Sequence, residues 1–270
     1  MELKRRVALN GEQLDGVHAA VVIRSVEPAD GKESISAVSA AAGYGQRITG
    51  YRRENVDMVV KFAINIRKND MERRAAVLEA VNAWAAQAAR ERGGAYLTVN
   101  YKPDRRLHVV LAQAPGEGSL WDWTKDFTIT FRAYGVPYWE QETARSVVCG
   151  GSTNSGNTNM TVDGSAGTQA DVQILNTSGM TISTVTATVN GQTMTFNNIG
   201  LGGNETLVID HNDGLVRIRI RSAGGAYRSV MDKRSSSSAN DFRVMPGTCN
   251  CSFTAQRACR MTVSWRARFL

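Results

Sequence analysis

Cysteine is scarce: Cys149, Cys249, Cys251 and Cys259 are all there are in 270 residues. Three fall within eleven residues as C-x-C-x7-C, without the paired C-x2-C spacing of a zinc site and without a nearby histidine. The simplest reading is buried or half-buried thiols in strands, with a metal site or a redox pair as alternatives. Histidine is scarcer still, and His18, His108 and His211 have no metal-ligand spacing to one another. No serine stands in G-x-S-x-G, the serine run at 235–238 reads as a loop, and nothing selects a carboxylate pair for acid–base work. No catalytic residue, metal or cofactor is therefore indicated. No apolar run approaches the length that crosses a bilayer, so no membrane insertion is expected. The start, MELKRRVALNG, has charges but no apolar run behind them, unlike a signal peptide, and a reducing compartment is expected during folding. Nor is there a charged tail. The net charge of +7 comes from 20 basic against 17 acidic residues in 1–140 and 12 against 8 thereafter. A spread excess speaks for solubility before nucleic-acid binding.

What is present is organised around residues 127–142, FTITFRAYGVPYWEQE. Phe127, Ile129, Phe131 and Ala133 alternate with polar residues, the period of a strand with one buried face. Pro137 cannot donate to a ladder, so regular pairing should stop there. Upstream the chain mixes strands with one strong helix; downstream no convincing helix occurs. Pro137, Tyr138, Trp139 and Glu140 are accordingly read as an interdomain hinge, between a domain over 1–142 and a domain over 143–270.

In the first domain a strand should turn at Leu9-Asn10-Gly11 into a second strand around 20–26, with turn chemistry again at 28–31. Residues 34–50 are small and Gly-rich and read as a loop or extended arm. Gly43-Tyr44-Gly45 is a partial G-x-G without the strand–turn–helix frame of a phosphate loop. Val56, Met58, Val60, Phe62, Ile64 and Ile66 alternate cleanly as a strand. A helix over 70–92 follows, with Asn69 and Glu72 as a capping box, and Val77, Leu78, Val81, Trp84, Ala85 and Ala88 as its apolar stripe. Gly93-Gly94 should stop it, and Arg73, Arg74, Glu79, Arg90 and Glu91 read as its solvated face. A hairpin over 96–112 turns at Pro103-Asp104, and 114–123 reads as a loop. The sum is an α+β domain, an antiparallel sheet with one packed helix.

Residues 150–170, rich in Gly, Ser, Asn and Thr, read as a linker or long loop. Strand-like pieces then alternate with turns at Asn190-Gly191, Gly202-Gly203-Asn204 and residues 210–214. The last of these lacks the spaced acids of a calcium loop. Evenly spaced short strands imply an all-β sandwich or jelly roll. Arg217, Arg219 and Arg221 should face outward opposite Val216, Ile218 and Ile220. Arg266 and Arg268 should do the same opposite Met261, Val263, Trp265, Ala267 and Phe269. Such rows are either solvated strand faces or partner-facing arginines that hold phosphate, an acidic partner or sugar.

Together these stretches resemble the distal tail protein (Dit) family of long-tailed bacteriophages, over nearly the whole chain. In the first part the likeness rests on Leu9-Asn10-Gly11, the arm at 43–45 and Tyr51-Arg52-Arg53 before the 56–66 strand. The helix carrying Trp84, the Pro103-Asp104 hairpin and Pro137-Tyr138-Trp139 complete it. In the second it rests on Asn190-Gly191, Leu207-Val208-Ile209-Asp210, Ser238-Ala239-Asn240-Asp241-Phe242, Pro246-Gly247 and Trp265-Arg266-Ala267-Arg268-Phe269. Cys249 and Cys251 depart from the plain strand entry expected there. The resemblance implies a virion protein of the tail tip, assembled in the host cytoplasm as a homo-oligomeric ring, usually a hexamer. The first, tail-tube-like domain would form a belt around a channel through which DNA passes only in transit. The second, galectin-like sandwich would project outward. Implied partners are the tail tube protein, the tape measure protein, the tail-associated hub or fibre protein and receptor-binding proteins, with no cofactor. The alternative functions are a carbohydrate-binding attachment module, with Tyr227 as its aromatic platform, and a tail-associated hydrolase.

Overall fold

A computed structural model describes residues 6–28, 33–39, 46–53, 55–67, 69–116, 126–212 and 215–270. The chain divides into two compact units, Met1–Trp139 and Glu140–Leu270.

Period-two alternation builds the first unit. The strands are β1 (Val7–Leu9), β2 (Glu12–Gln13), β3 (Val21–Pro28), β4 (Glu33–Ser39), β5 (Gln46–Arg53), β6 (Asp57–Ile64), β7 (Ala95–Val99), β8 (Arg105–Gln113) and β9 (Phe127–Ala133). A short β10 (Trp139–Gln141) runs across the division between the units. Seven strands pair in the order β2-β1-β7-β8-β9-β6-β3, all described pairs being antiparallel. Asn10 and Gly11 hold φ of 48° and 88°, the left-handed pair that a two-residue hairpin loop needs. Met58, Val60, Phe62 and Ile64 on β6 and Phe127, Ile129 and Phe131 on β9 are buried, and the Phe62 and Phe127 rings stack at 5.3 Å.

Helix α1 (Leu14–Val17) is a single turn, whereas α2 (Met71–Ala85) covers the core face of the sheet with the expected stripe. Val77, Leu78, Val81, Trp84, Ala85 and Ala88 are all buried, and Trp84 meets Phe131 edge-on at 6.0 Å while its indole N–H donates to the Glu12 carbonyl at 2.9 Å. Three expectations change here. The N-cap is Asp70, whose carboxylate accepts from the Arg73 N–H at 3.3 Å, not Asn69. The α-helix ends at Ala85 and continues as two 3-10 turns to Arg92, where Gly93 takes φ 80°. Arg74 is 1% exposed and donates to the Ile66 carbonyl at 3.3 Å. It stands three and four residues before Val77 and Leu78, hence on the stripe rather than on the solvated face. Residues 34–50, expected as a loop or arm, contain most of the β4–β5 hairpin, which among the described residues pairs with neither large sheet. Small residues there gave too weak an alternation to be read as strands. The Gly43–45 motif lies outside the described residues, as do most of 114–123 and three residues of the 28–31 turn.

The second unit holds β11 (Arg145–Val162), β12 (Thr168–Asn176), β13 (Val185–Val189), β14 (Gln192–Phe196), β15 (Thr206–Asn212), β16 (Leu215–Arg221), β17 (Tyr227–Ser229), β18 (Arg243–Val244), β19 (Gly247–Trp265) and β20 (Arg268–Phe269). The largest correction is β11: residues 150–162, expected as linker, are strand, and only 163–167 connect to β12. The segment has low strand propensity and no alternation, yet β19 supplies a ladder along its whole length, from Arg145↔Trp265 to Val162↔Gly247. The register shifts between Gly150, Thr153 and Ser155, and there the β11–β19 ribbon folds back. Its two ends meet, with Arg145 Nη1 2.5 Å from Asp163 Oδ2.

Folding the ribbon makes two layers from one continuous sheet. Residues 259–265 of β19 pair with β12, which leads to β15, β16 and β17; residues 251–255 pair with β13, which leads to β14. The layers enclose one apolar core that includes Phe196, Phe242, Phe253, Met261 and Trp265. Burying each such side chain contributes roughly 1.5–3 kcal/mol. Glycine is required at the bend: a Cβ on Gly156 would lie 2.7 Å from the Phe253 ring, 2.8 Å from Cys149 Sγ and 2.9 Å from the Gly150 nitrogen. The Asn190-Gly191 turn forms as expected, with φ of 50° and 77°. Asn176 was not singled out by sequence but is 0% exposed. Its amide donates to the carbonyls of Met180, Leu201 and Gly202 at 2.7, 2.9 and 3.0 Å, and its oxygen accepts from the Ser178 N–H at 2.9 Å.

Candidate docking surface

Regular pairing stops at Ala133 and resumes at Trp139, with Gly135 at φ 77° between them. Pro137 and Tyr138 are half-buried; Trp139 is buried, with the Lys102 ammonium 5.0 Å from its ring centroid. The division between the units falls at Trp139/Glu140. Glu140 accepts from Arg268 Nε at 3.1 Å, and Arg266 donates to the carbonyls of Gln141 and Glu142. The Arg268 and Glu140 side chains are 15% and 20% exposed. Arg266 and Arg268, expected as an outward row, thus spend their guanidinium groups on the first residues of their own unit. Burial still alternates past Trp265, with Ala267 0% exposed between the half-buried Arg266 and Arg268.

The row on β16 is different. Ile218 and Ile220 are buried, while Arg217 is exposed and Arg219 and Arg221 are half-buried on the opposite face. Arg219 Nη2 lies 2.5 Å from Asp210 Oδ2, and its guanidinium sits 4.5 Å from the ring centroid of Tyr227 on β17. Arg217 stands opposite Asp210 in the ladder. Val208 and Thr206, opposite Arg219 and Arg221, lie on this same outer face yet are only 5% and 6% exposed. Long arginine stems give such cover while their heads stay in water.

The ladder registers align Arg260, Leu175, Thr206, Arg221 and Tyr227 across five strands. At about 4.8 Å per strand, Arg260 and Arg221 stand roughly 14 Å apart. Arg260 was missed by the sequence reading, although its alternation with inward Met261 is the signal that finds it. Asp171, on the same face, accepts from the backbone N–H and Nδ1 of His211 at 3.1 and 3.0 Å. The surface is a cationic rim around a small apolar patch. Arg219 is already neutralised by Asp210, so Arg217, Arg221 and Arg260 are the groups able to engage a carboxylate or phosphate.

The other candidates are quieter. All four cysteines are free and buried. Burial pushes the Cys259 thiol up to about 11, and burial together with the neighbouring Cys149 and Cys249 thiols pushes Cys251 up to about 11, so both stay protonated and weakly nucleophilic. Among the described residues no group of three His, Cys, Asp or Glu is placed to hold a metal. Trp265 is 5% exposed and faces the core; Tyr227 is 50% exposed, but Arg219 covers one ring face. No helix among the described residues is long and apolar enough to cross a membrane.

No protein-family model and no curated protein matches the sequence. Solved structures match in fold. The chain is similar to the Dit protein of phage SPP1, described as a paradigm of the hub adsorption apparatus in phages that infect Gram-positive bacteria. The TM-score is 0.71 and the identity 13%, over 98% of this chain and 99% of that one. It is also similar to a chain of the phage p2 baseplate in its activated conformation. With Sr the TM-score is 0.51 at 8% identity over 97% of both chains; with Ca it is 0.50 at 8% over 98% of both. Over nearly its whole length, this polypeptide is built on the fold of the SPP1 Dit protein.

Proposed function

We propose that this chain is a structural protein of a phage tail tip. Copies of the first unit close into a ring, a hexamer by resemblance to the Dit family, around a channel for DNA, and the second unit carries docking surface for other tail components. The observation that carries this reading is the near full-length fold match to SPP1 Dit, which includes both units. The first unit supports a ring because, among the described residues, its sheet ends at β3, which pairs with β6 on one side only and has Val22 38% exposed. Cyclic rings arise from heterologous contacts, and covering such an edge removes an aggregation risk. The Arg217–Arg221 face fits an acidic partner, and DNA in transit calls for a lumen without such a row.

Mass in solution is the test. One chain is 29.4 kDa, so a hexamer is about 176 kDa, and negative-stain images of it show rings. Images of assembled particles that place the polypeptide elsewhere than at the tube's far end overturn the reading. A ring whose lumen is lined by Arg217, Arg219 and Arg221 overturns the assignment of that face to partners.

A further inference from the structure

The sheet of the second unit has three boundaries, and they are finished differently. The outer side of β14 is covered: Ser235 and Ala239 donate to the Thr195 and Thr193 carbonyls at 2.8 Å each, and Asn197 donates to the Lys233 carbonyl at 3.0 Å. The opposite boundary, β17, is three residues long and includes Arg228. Strand β11 is eighteen residues long and, among the described residues, pairs with β19 alone. Natural edge strands are kept short, or carry charges, proline or bulges, because a bare ladder invites another strand. Between Arg145 and Asp163 this strand has no charged residue and no proline. Its glycine bulge protects only the middle. From Ser155 to Val162 the register with β19 runs unbroken, and alternate backbone N–H and C=O groups point away from the sheet.

We infer that this edge, residues 155–162, is a strand-acceptor site: an extended, uncharged segment of another polypeptide of the tail tip pairs with it and continues the β14-β13-β19 layer. The partner's chemistry follows from its neighbours. On the outer face it would lie beside Asn157, Asn159 and Thr161, behind which stand Ser252, Asn250 and Thr248, so hydroxyl and amide side chains fit. On the inner face Met160 and Val162 are 4% and 2% exposed, so small apolar side chains fit. A charge on either face would meet no opposite charge along the strand. Two copies of this chain pairing edge to edge would be related by a two-fold axis, which caps growth rather than joining a ring to different components. Only the partner's identity as a tail component rests on the proposed function.

Hydrogen–deuterium exchange on the purified full-length chain and on intact particles tests this. About half of the amides in 155–162 exchange within seconds in the free chain and at least about 100-fold more slowly in particles. Thr161→Lys, which sets an ammonium on the exposed outer face beside the edge, keeps the melting temperature and the ring mass but lowers particle yield at least about tenfold. Equal exchange in free chain and particle overturns the inference, as does protection that appears with concentration alongside a dimer mass. Hexamer rings with an unprotected edge overturn it and leave the tail-tip reading standing; absence of the chain from particles overturns both.

Discussion

Substituting Gly156 by Ala separates the two readings of the 150–170 segment by the sign of its effect. In a linker, Gly→Ala restricts the unfolded chain and stabilises by about 0.4–1 kcal/mol. In the folded ribbon the new methyl has no room. It would stand 2.7 Å from the Phe253 ring, 2.8 Å from Cys149 Sγ and 2.9 Å from the Gly150 nitrogen. Phe253 is 2% exposed and packed into the core, and a backbone nitrogen cannot rotate away. Overpacking of this kind costs about 1–3 kcal/mol, taken here as about 2. For a unit of this size that lowers its melting temperature by roughly 6–10 °C. Urea unfolding followed by far-UV circular dichroism reads the free energy, and calorimetry the melting temperature. Gly224→Ala is the control: a Cβ there meets nothing nearer than Ser222 Oγ at 3.9 Å, so the change stays within about 0.5 kcal/mol. Because Phe253 is the main obstacle, Phe253→Leu combined with Gly156→Ala should cost less than the two singles added, by about 1 kcal/mol. A Gly156→Ala chain as stable as the parent, or more so, refutes the packing of Phe253 over the bend.

Four further outcomes follow from other parts of the structure. Asn176→Asp removes the donor to three carbonyls and buries a carboxylate, so it should cost about 3 kcal/mol or more by urea unfolding. Asp70→Ala should cost about 1 kcal/mol through the lost N-cap, whereas Asn69→Ala should change stability by less than about 0.5 kcal/mol. With Cys251 and Cys259 at about 11 in the fold against about 9 unfolded, the unfolded chain releases thiol protons first. Stability is therefore unaffected by these groups below pH 9 and falls as pH rises from about 9 to about 11, in a slope that Cys259→Ala reduces. Replacing Arg217 and Arg221 together by Gln, which keeps part of each stem and sets no like charge opposite Asp210, should change stability by less than about 1 kcal/mol and leave oligomer mass unchanged but weaken docking of an acidic partner, measured as co-sedimentation with assembled tail tips; an unchanged docking yield removes that face from the interface.

Much of the fold was legible because its signals are local. The β6 alternation, the α2 stripe and the Asn10-Gly11 and Asn190-Gly191 turns depend on side-chain direction and backbone sterics within a few residues. The outward direction of Arg217, Arg219 and Arg221 followed from the same alternation. Arg74 was misplaced because a charged residue on an apolar stripe is read as exposed, although its stem can bury like a methionine. The acceptors that Arg266 and Arg268 reach were not legible, because Gln141, Glu142 and Glu140 lie more than a hundred positions earlier in the chain.

By itself, then, the amino-acid order determined the elements with their own periodicity, the hairpin turns and the contrast between a mixed first part and an all-β second part. Only the tertiary structure decided that residues 150–162 are strand. Their hydrogen bonds are satisfied by residues about a hundred positions later, and no local preference encodes a partner so distant. The same long-range ladder decided where the ribbon folds, why Gly156 sits under Phe253 and which edge stays open. Those features depend on β11 and β19 being held side by side, a condition that exists only once the core has closed.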